Sequence, residues 1–413
     1  MVNDSNKTFE KRFSERKSFW VLYALLIIVM HAYLFMALKE ALGLSFFTIT
    51  WVPFSIFMTA LSFITRRTER IRSDRQRKWT DRAGVLWLAF VFTAAMLSLF
   101  IHFGEALFTQ NITNGKVKTI SVMLFAFLTI LYGVRRANRV ETIKIKILTK
   151  KMERERLRIV QLTDMHIGPW TGPMLLQQVI DKINAAKPDI VVVTGDLVDG
   201  HGAKHEEDAK KLRTIKAPLG VFAVTGNHDY YDDVDDSIRF MKKSGMKVLY
   251  TEVAEAGGIM IAGADDRDHL IHKAWGLSRS EVMVLSREKE QKKKFLLLLR
   301  HRPVIEEGTE GHFDLQLSGH THGGQLFPLP GSRHKIGGHS QGLKKLKNGG
   351  YIYVSNGAGF VGAPLRYMAP PEITVFDLEN PDWAERSYPK AREKKKPEAE
   401  YKKKEKYNQI VQP

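Results

Sequence analysis

The apolar residues of this chain fall into two textures. In the first third they form long runs: Trp20–Leu38, Phe46–Ile64, Gly84–Phe103 and Val117–Gly133 are almost wholly apolar. His31 breaks the first, Pro53 lies inside the second and Lys118 stands near the start of the fourth. Each run has roughly the 17–25 residues that an α-helix needs to cross a bilayer. One such run alone reads equally well as a buried core helix or a signal peptide. Four of them, separated by charged loops and with no small-residue cleavage site after the first, predict a four-helix transmembrane region over residues 1–139. His31 and His102, in or near these spans, read as contacts between helices rather than as a transport path.

From about residue 140 the runs become short. "ETIKIKIL" alternates apolar and charged residues, the period of a half-buried strand. "LRIVQLTD", "DIVVVTGD", "GVFAVTGN", "GIMIAGAD", "FLLLLRH", "LQLSGH", "YIYVSNG" and "EITVFDL" predict eight further strands, most of them Val- and Ile-rich, as central strands buried on both faces are. Met174–Ala186 carries Leu175, Val179 and Ile183 at helical spacing behind Pro173, and Asp232–Ser244 reads as another helix. Residues 140–380 thus read as an α/β domain. The charged stretch 265–294 reads as a surface helix with loops, and residues 381–413, rich in Lys and Glu, as a basic, disordered tail.

The 413 residues carry a formal net charge of +18, which favours an anionic partner, either nucleic acid or an anionic membrane surface. The placement of the charge decides between them. Lys7, Lys11, Arg12, Arg16 and Lys17 precede the first run, and Arg66, Arg67, Arg70, Arg72, Arg75, Arg77, Lys78 and Arg82 separate the second from the third. Arg135, Arg136 and Arg139 follow the fourth, whereas the other two loops are nearly free of basic residues. The excess of positive charge on cytoplasmic loops then predicts a multi-pass protein of the cell (inner or plasma) membrane. Both termini and everything after residue 135 face the cytoplasm, and the lipid bilayer is the partner. Nucleic acid is disfavoured, because loops and tail account for much of the charge. The chain has no cysteine, which excludes disulfides and Cys-based zinc sites.

Several of the short runs end alike, in Asp, Asn or His beside Gly. "QLTDMHIG" supplies Asp164 and His166, "VVTGDLVDG" Asp196 with Asp199 close behind, and "AVTGNHDYY" Asn227, His228 and Asp229. "LLLRHRP" supplies His301 and "LSGHTHGG" His320 and His322. Singly, each has an ordinary explanation: a turn cap, a left-handed turn residue, a satisfied half-buried histidine. Together they are a mixed oxygen and nitrogen set at strand ends, where open α/β sheets bind ligands. Such a set suits borderline divalent metals such as Mn, Fe or Zn, alongside Mg, and seven candidates are enough for two ions if one carboxylate bridges. Two ions about 3.5–4 Å apart form a clamp for phosphoryl chemistry. His228, next to a candidate ligand, is placed to protonate a leaving oxygen, with Asp229 to orient it.

The series Asp164-x-His166, Gly195-Asp196, Gly226-Asn227-His228-Asp229, His301 and Gly319-His320-x-His322 resembles the calcineurin-like metallophosphoesterases, in the family's order from about Arg158 to Leu378. The resemblance implies a four-layer α/β/β/α sandwich and two divalent metal ions, Mn favoured. It implies one metal on Asp164, His166 and His322, a second on Asn227, His301 and His320, and Asp196 bridging. His312 competes with His301 but precedes its strand. His228 would be the general acid, supported by Asp229 where many members carry Glu. "GHTHGGQ" with "GAPLRYMAPPEITVF" is similar to the branch of bacterial membrane-associated phosphodiesterases and UDP-diacylglucosamine pyrophosphatases. Gly323, Gly324 and Arg366 would then contact the substrate phosphate. The expected activity is that of a membrane-anchored phosphodiesterase acting on a lipid-linked or nucleotide-linked phosphate by metal-bridged hydroxide attack. A nuclease of the same superfamily, or a non-catalytic metal-binding sensor or scaffold, is the alternative.

Overall fold

The computed structural model describes residues 2–43, 47–67, 74–108, 115–168, 171–199, 206–230, 233–266, 294–305, 309–326, 338–347, 349–383 and 409–411. It divides into two compact units, Met1–Tyr132 and Gly133–Pro413.

The first unit is helical: α1 (Val2–Leu42), α2 (Phe47–Arg67), α3 (Asp74–Phe108) and the greater part of α4 (Gly115–Ala137). Three stretches are long and apolar enough to cross a membrane: Val21–Ala41, Arg82–Leu107 and Gly115–Ala137. The second expected run lies in α2, whose apolar stretch among the described residues is the shorter Thr50–Leu61. Leu34, Trp51, Val91, Ala94, Ala95, Val122 and Ala126 form the interior. Many large apolar side chains, such as Leu22, Ile28, Phe100 and Phe125, point outward instead. That inversion suits a hydrocarbon surround better than water. The polar groups meet across helices. Trp87 Nε1 donates to His31 Nε2 (3.0 Å), Tyr33 meets His102, and Lys118 pairs with Glu105 (2.8 Å).

The second unit holds two mixed sheets. The larger has seven strands in the order β13-β1-β12-β2-β3-β4-β5: β1 (Glu141–Leu148), β2 (Arg156–Leu162), β3 (Ile190–Thr194), β4 (Val221–Val224), β5 (Lys247–Val248), β12 (Glu372–Glu379) and β13 (Gln409–Val411). The smaller has six in the order β10-β11-β9-β8-β7-β6: β6 (Glu252–Ala256), β7 (Ile259–Ala264), β8 (Leu296–Arg300), β9 (Leu315–Ser318), β10 (Gly342–Lys345) and β11 (Tyr351–Val354).

Side-chain alternation builds the layers. Leu157, Ile159, Ile190, Val192, Phe222 and Val224 of the larger sheet share one core with Ile259, Ile261, Leu297, Leu299, Leu315 and Leu317 of the smaller. The alternate residues Val160, Leu162, Val191 and Val193 face α5 (Pro173–Ala186), α6 (Glu206–Leu212) and α7 (Val234–Lys243). Ala262, Leu296, Leu298 and Val354 form the core on the far side of the smaller sheet. The charged stretch over 267–293 lies outside the described residues. Gln409–Val411, inside the stretch read as a free tail, pairs with Ile145–Ile147 of β1, and Val411 packs against the core between the sheets. Apolar residues at the chain's end make that edge pairing favourable, and residues 384–408 lie outside the described set.

Candidate metal centre

β2, β3 and β4 are parallel neighbours in one sheet, and β8 and β9 in the other. The carboxyl ends of all five carry the strand-end residues singled out in the sequence. Seven non-glycine residues among those described have left-handed backbone, and five of them are Asp164, His166, Asp196, His320 and His322, with φ between 48° and 71°. Left-handed backbone is costly for a residue with a Cβ and persists where the surroundings over-determine it. Here it turns each chain sharply after its strand, so the side chains aim across the strand ends. Gly319 shows the crowding: a Cβ there would sit 2.0 Å from Asp164 Oδ2 and 2.2 Å from Thr163 Oγ1.

The side chains gather in three overlapping groups: Asp164, His166 and His322; His166, Asp196 and His228; Asp196, His301 and His320. His322 Nε2 lies 3.3 Å from Asp164 Oδ1 and 3.2 Å from His166 Nε2. Asp196 Oδ2 lies 3.7 Å from His166 Nε2 on one side and 3.1 Å from His301 Nε2 on the other. His301 Nε2 lies 3.1 Å from His320 Nδ1. Asp196 thus stands between two ring clusters. His320 and His322, one residue apart, reach different clusters because the left-handed turn at each redirects the chain. Asn227 is buried at the end of β4, next to His228, whose N–H donates to Asp196 Oδ1 (2.8 Å). His312 belongs to none of these groups.

These residues fit divalent ions. His301 Nδ1 lies 2.9 Å from the Thr194 carbonyl, which fixes its proton there and turns the Nε2 lone pair toward Asp196. His166 Nδ1 is buried without a hydrogen-bond partner, and its Nε2 faces another ring nitrogen. Burial and the charges of His301 and Arg302 lower His320 to about 2, and burial with Arg366 holds His322 well below its usual value. Both rings are therefore neutral, as ligation requires. Burial opposes charge on His301 as well, yet Asp196 beside it raises it to about 10. Burial likewise opposes ionisation of Asp196, but His301 holds it well below the usual carboxylate range. Without metal, these two groups neutralise each other.

Three expectations are corrected. Asp229 does not support His228: its carboxylate accepts the backbone N–H groups of Asp196 (3.0 Å), Val198 (3.3 Å) and Gly226 (2.8 Å), clamping the β3 and β4 loops together. His228 Nδ1 pairs instead with Asp199 Oδ1 at 2.8 Å. Burial opposes the charged ring of His228, but the Asp199 hydrogen bond and the nearby Asp196 carboxylate outweigh it and raise the pKa. Gly323 and Gly324 do not offer their amides to a phosphate: Gly324 N–H donates to Thr321 O (3.0 Å) and Gly323 N–H to Thr321 Oγ1 (3.3 Å). Arg366, expected to contact substrate, is fully buried. Its guanidinium donates to the carbonyls of His322 (3.0 Å), Asn356 (2.8 Å) and Ala369 (3.2 Å), and to His322 Nδ1 (3.0 Å).

The sequence reading passed over the residues behind the cluster. Arg302 donates to His320 Nε2 (3.1 Å) and is held by Asp266 (2.9 Å). Its signal was its place beside His301 in "HRP". Gln325, in "GHTHGGQ", spans to the next loop: its amide donates to Val361 O and Ala363 O, both at 3.0 Å.

Known proteins bear on this geometry. The family described as calcineurin-like phosphoesterase matches residues 157–324, which contain every candidate ligand. An uncharacterized metallophosphoesterase of Aquifex aeolicus is 35% identical over 261 residues, covering 61% of this chain and 98% of that protein. One from Campylobacter jejuni is 31% identical, covering 71% and 77%. A transmembrane protein with metallophosphoesterase domain from Danio rerio is 30% identical, covering 65% of each chain. Members of this family work through a dimetal centre. The chain belongs to the calcineurin-like metallophosphoesterases and is a metal-dependent phosphoesterase.

Proposed function

We propose that the protein is a membrane-anchored phosphodiesterase that hydrolyses a lipid-linked or nucleotide-linked phosphate at the cytoplasmic face of the cell membrane. The observation that supports it most is Asp196, whose Oδ2 stands within 3.1 Å of one ring cluster and 3.7 Å of the other. Asp164, His166 and His322 would hold one divalent ion and Asn227, His301 and His320 a second, with the Asp196 carboxylate available to both. Manganese is the favoured metal, given the mixed carboxylate, amide and imidazole donors. Bound ions supply an activated water and offset phosphate charge. The protein's own groups do the rest. Asp199 orients His228 and keeps it protonated, and His228 gives its proton to the leaving oxygen. Asp229 and Arg366 hold the loops that carry the ligands.

Residues 1–139 form the membrane region in this reading, with a fourth span over 46–64, and residues 140–380 the catalytic domain, a four-layer sandwich. Basic loops place both termini in the cytoplasm. Anchoring confines the site to a surface, which suits a substrate that is itself in the bilayer. The test is hydrolysis of bis(p-nitrophenyl) phosphate with Mn²⁺ by the wild type, Asp196→Asn and His228→Ala. Loss of general-acid help lowers kcat of His228→Ala by about 10²–10⁴-fold. Asp196→Asn loses metal as well as activity. Equal rates for all three would sink the assignment.

A further inference from the structure

The last turn of α4 belongs to the catalytic unit, and it is bonded to the loop that runs past the candidate metal centre. Arg366 N–H donates to Gly133 O (3.1 Å). A Cβ on Gly133 would sit 2.7 Å from the Tyr367 ring and 3.0 Å from the Leu365 side chain, so this loop lies directly on the helix. Four residues further on, Ala137 is buried in the core of the catalytic unit. Val140 N–H donates to Gln178 Oε1 of α5 (2.8 Å). The loop Val361–Met368 is therefore bonded to the end of a helix that is long and apolar enough to span a membrane, and the middle of α5 to the chain just beyond it.

Both segments expose large apolar side chains. Val361 is 39% exposed, Met368 63% and Met174 85%, and these are the three exposed large hydrophobics described in the catalytic unit. Elsewhere among the described residues of that unit, large apolar side chains are not exposed. An apolar side chain in water gains nothing from exposure, whereas at the edge of a bilayer it is buried among headgroups and acyl chains. Arg135 and Arg139, both exposed, follow the apolar stretch of α4, where anionic headgroups favour cations.

We propose that Val361, Met368 and Met174 form a lipid-contacting surface, occupied by the bilayer that α4 enters. The surface rests on the reading of α4 as a membrane span. It also has a route to chemistry: the loop that carries Val361 and Met368 carries Arg366, whose guanidinium holds the His322 ring and carbonyl. Seating this loop in the headgroup layer fixes the metal centre beside that layer. The substrate class that follows is a phosphoester whose phosphate lies at headgroup depth.

The chain's lack of cysteine makes the test direct. Single cysteines are introduced as Val361→Cys, Met368→Cys and Met174→Cys in the full chain, labelled with a fluorophore, and reconstituted in phosphatidylcholine/phosphatidylglycerol nanodiscs. Quenching is measured with lipids spin-labelled near the headgroup. Leu124→Cys, on the outward face of α4, controls for the span, and Lys247→Cys, exposed on β5 at the other edge of the sheet from β1, controls for water. The expected result is several-fold more quenching at 361, 368 and 174 than at 247. Quenching at 361 and 368 no greater than at 247, with 124 quenched, overturns the surface and leaves the span standing. No quenching at 124 overturns the span itself. Disulfide cross-linking of Met368→Cys between copies, without lipid quenching, assigns the surface to a second copy and also overturns the proposal.

Discussion

In the proposed reaction, proton delivery turns on the pair His228 and Asp199. The carboxylate sits 2.8 Å from Nδ1 and is one of the groups that raise the histidine's pKa. Removing it lowers that pKa, so the protonated ring is lost at lower pH. Asp199→Asn should therefore move the alkaline limb of the kcat/KM profile toward lower pH and leave the acidic limb in place. A pH–rate profile checks this; a fall in kcat with no movement of the limb would make Asp199 merely structural. The candidate ligand residues are legible because strand-end Asp, Asn and His beside Gly form a linear pattern. Asp199, Arg302 and the true role of Arg366 are not. Their partners lie 29, 18 and 44 residues away in sequence, so no local pattern encodes them. Arg366 was read as a substrate contact because an arginine near a phosphate site is the simpler guess. Its complete burial among carbonyls shows a group that shapes the loop and holds His322.

The elements that carry the site were read from periodicity, and the nine strands expected from it are all present. Their faces explain why. A strand such as Ile190–Thr194 is buried on both sides, so every residue must be apolar or hydrogen-bonded, and the run stands out. The elements not expected are short or at edges: β5 has two residues, β13 three and α6 seven, mostly charged, while β6 and β10 are the two edge strands of the smaller sheet. Burial imposes little pattern on such pieces. At this scale the glycines before the candidate ligands are as constrained as those residues themselves. Gly319 ends β9 against Asp164 and Thr163, and a methyl group there would displace a candidate ligand rather than a flexible side chain. Gly319→Ala should fold, since the clash is confined to the strand end, and yet bind less metal. The check is inductively coupled plasma mass spectrometry of bound Mn alongside thermal unfolding of the metal-free protein. Full metal content in Gly319→Ala would show that the loops have room to spare.

At the scale of the whole molecule, the helical unit and the catalytic unit ask different things of their surroundings. The first turns Leu22, Ile28 and Phe100 outward, and the second covers almost every large apolar side chain among its described residues. A chain that meets lipid with one unit and water with the other satisfies both. The proposed anchoring would change how the enzyme meets a substrate. A site held at a bilayer samples the substrate's surface density, not its concentration in bulk water. With a phosphodiester lipid in the same vesicles, the rate should follow its mole fraction in the membrane. Diluting it with inert lipid at constant bulk concentration should lower the rate in proportion. A water-soluble substrate such as bis(p-nitrophenyl) phosphate should be indifferent to that dilution, because it reaches the metals from the aqueous side. Measuring both substrates with one preparation separates surface confinement from a damaged catalytic site. If the lipid substrate is turned over at a rate set by bulk concentration alone, the membrane region does no more than hold the enzyme in place.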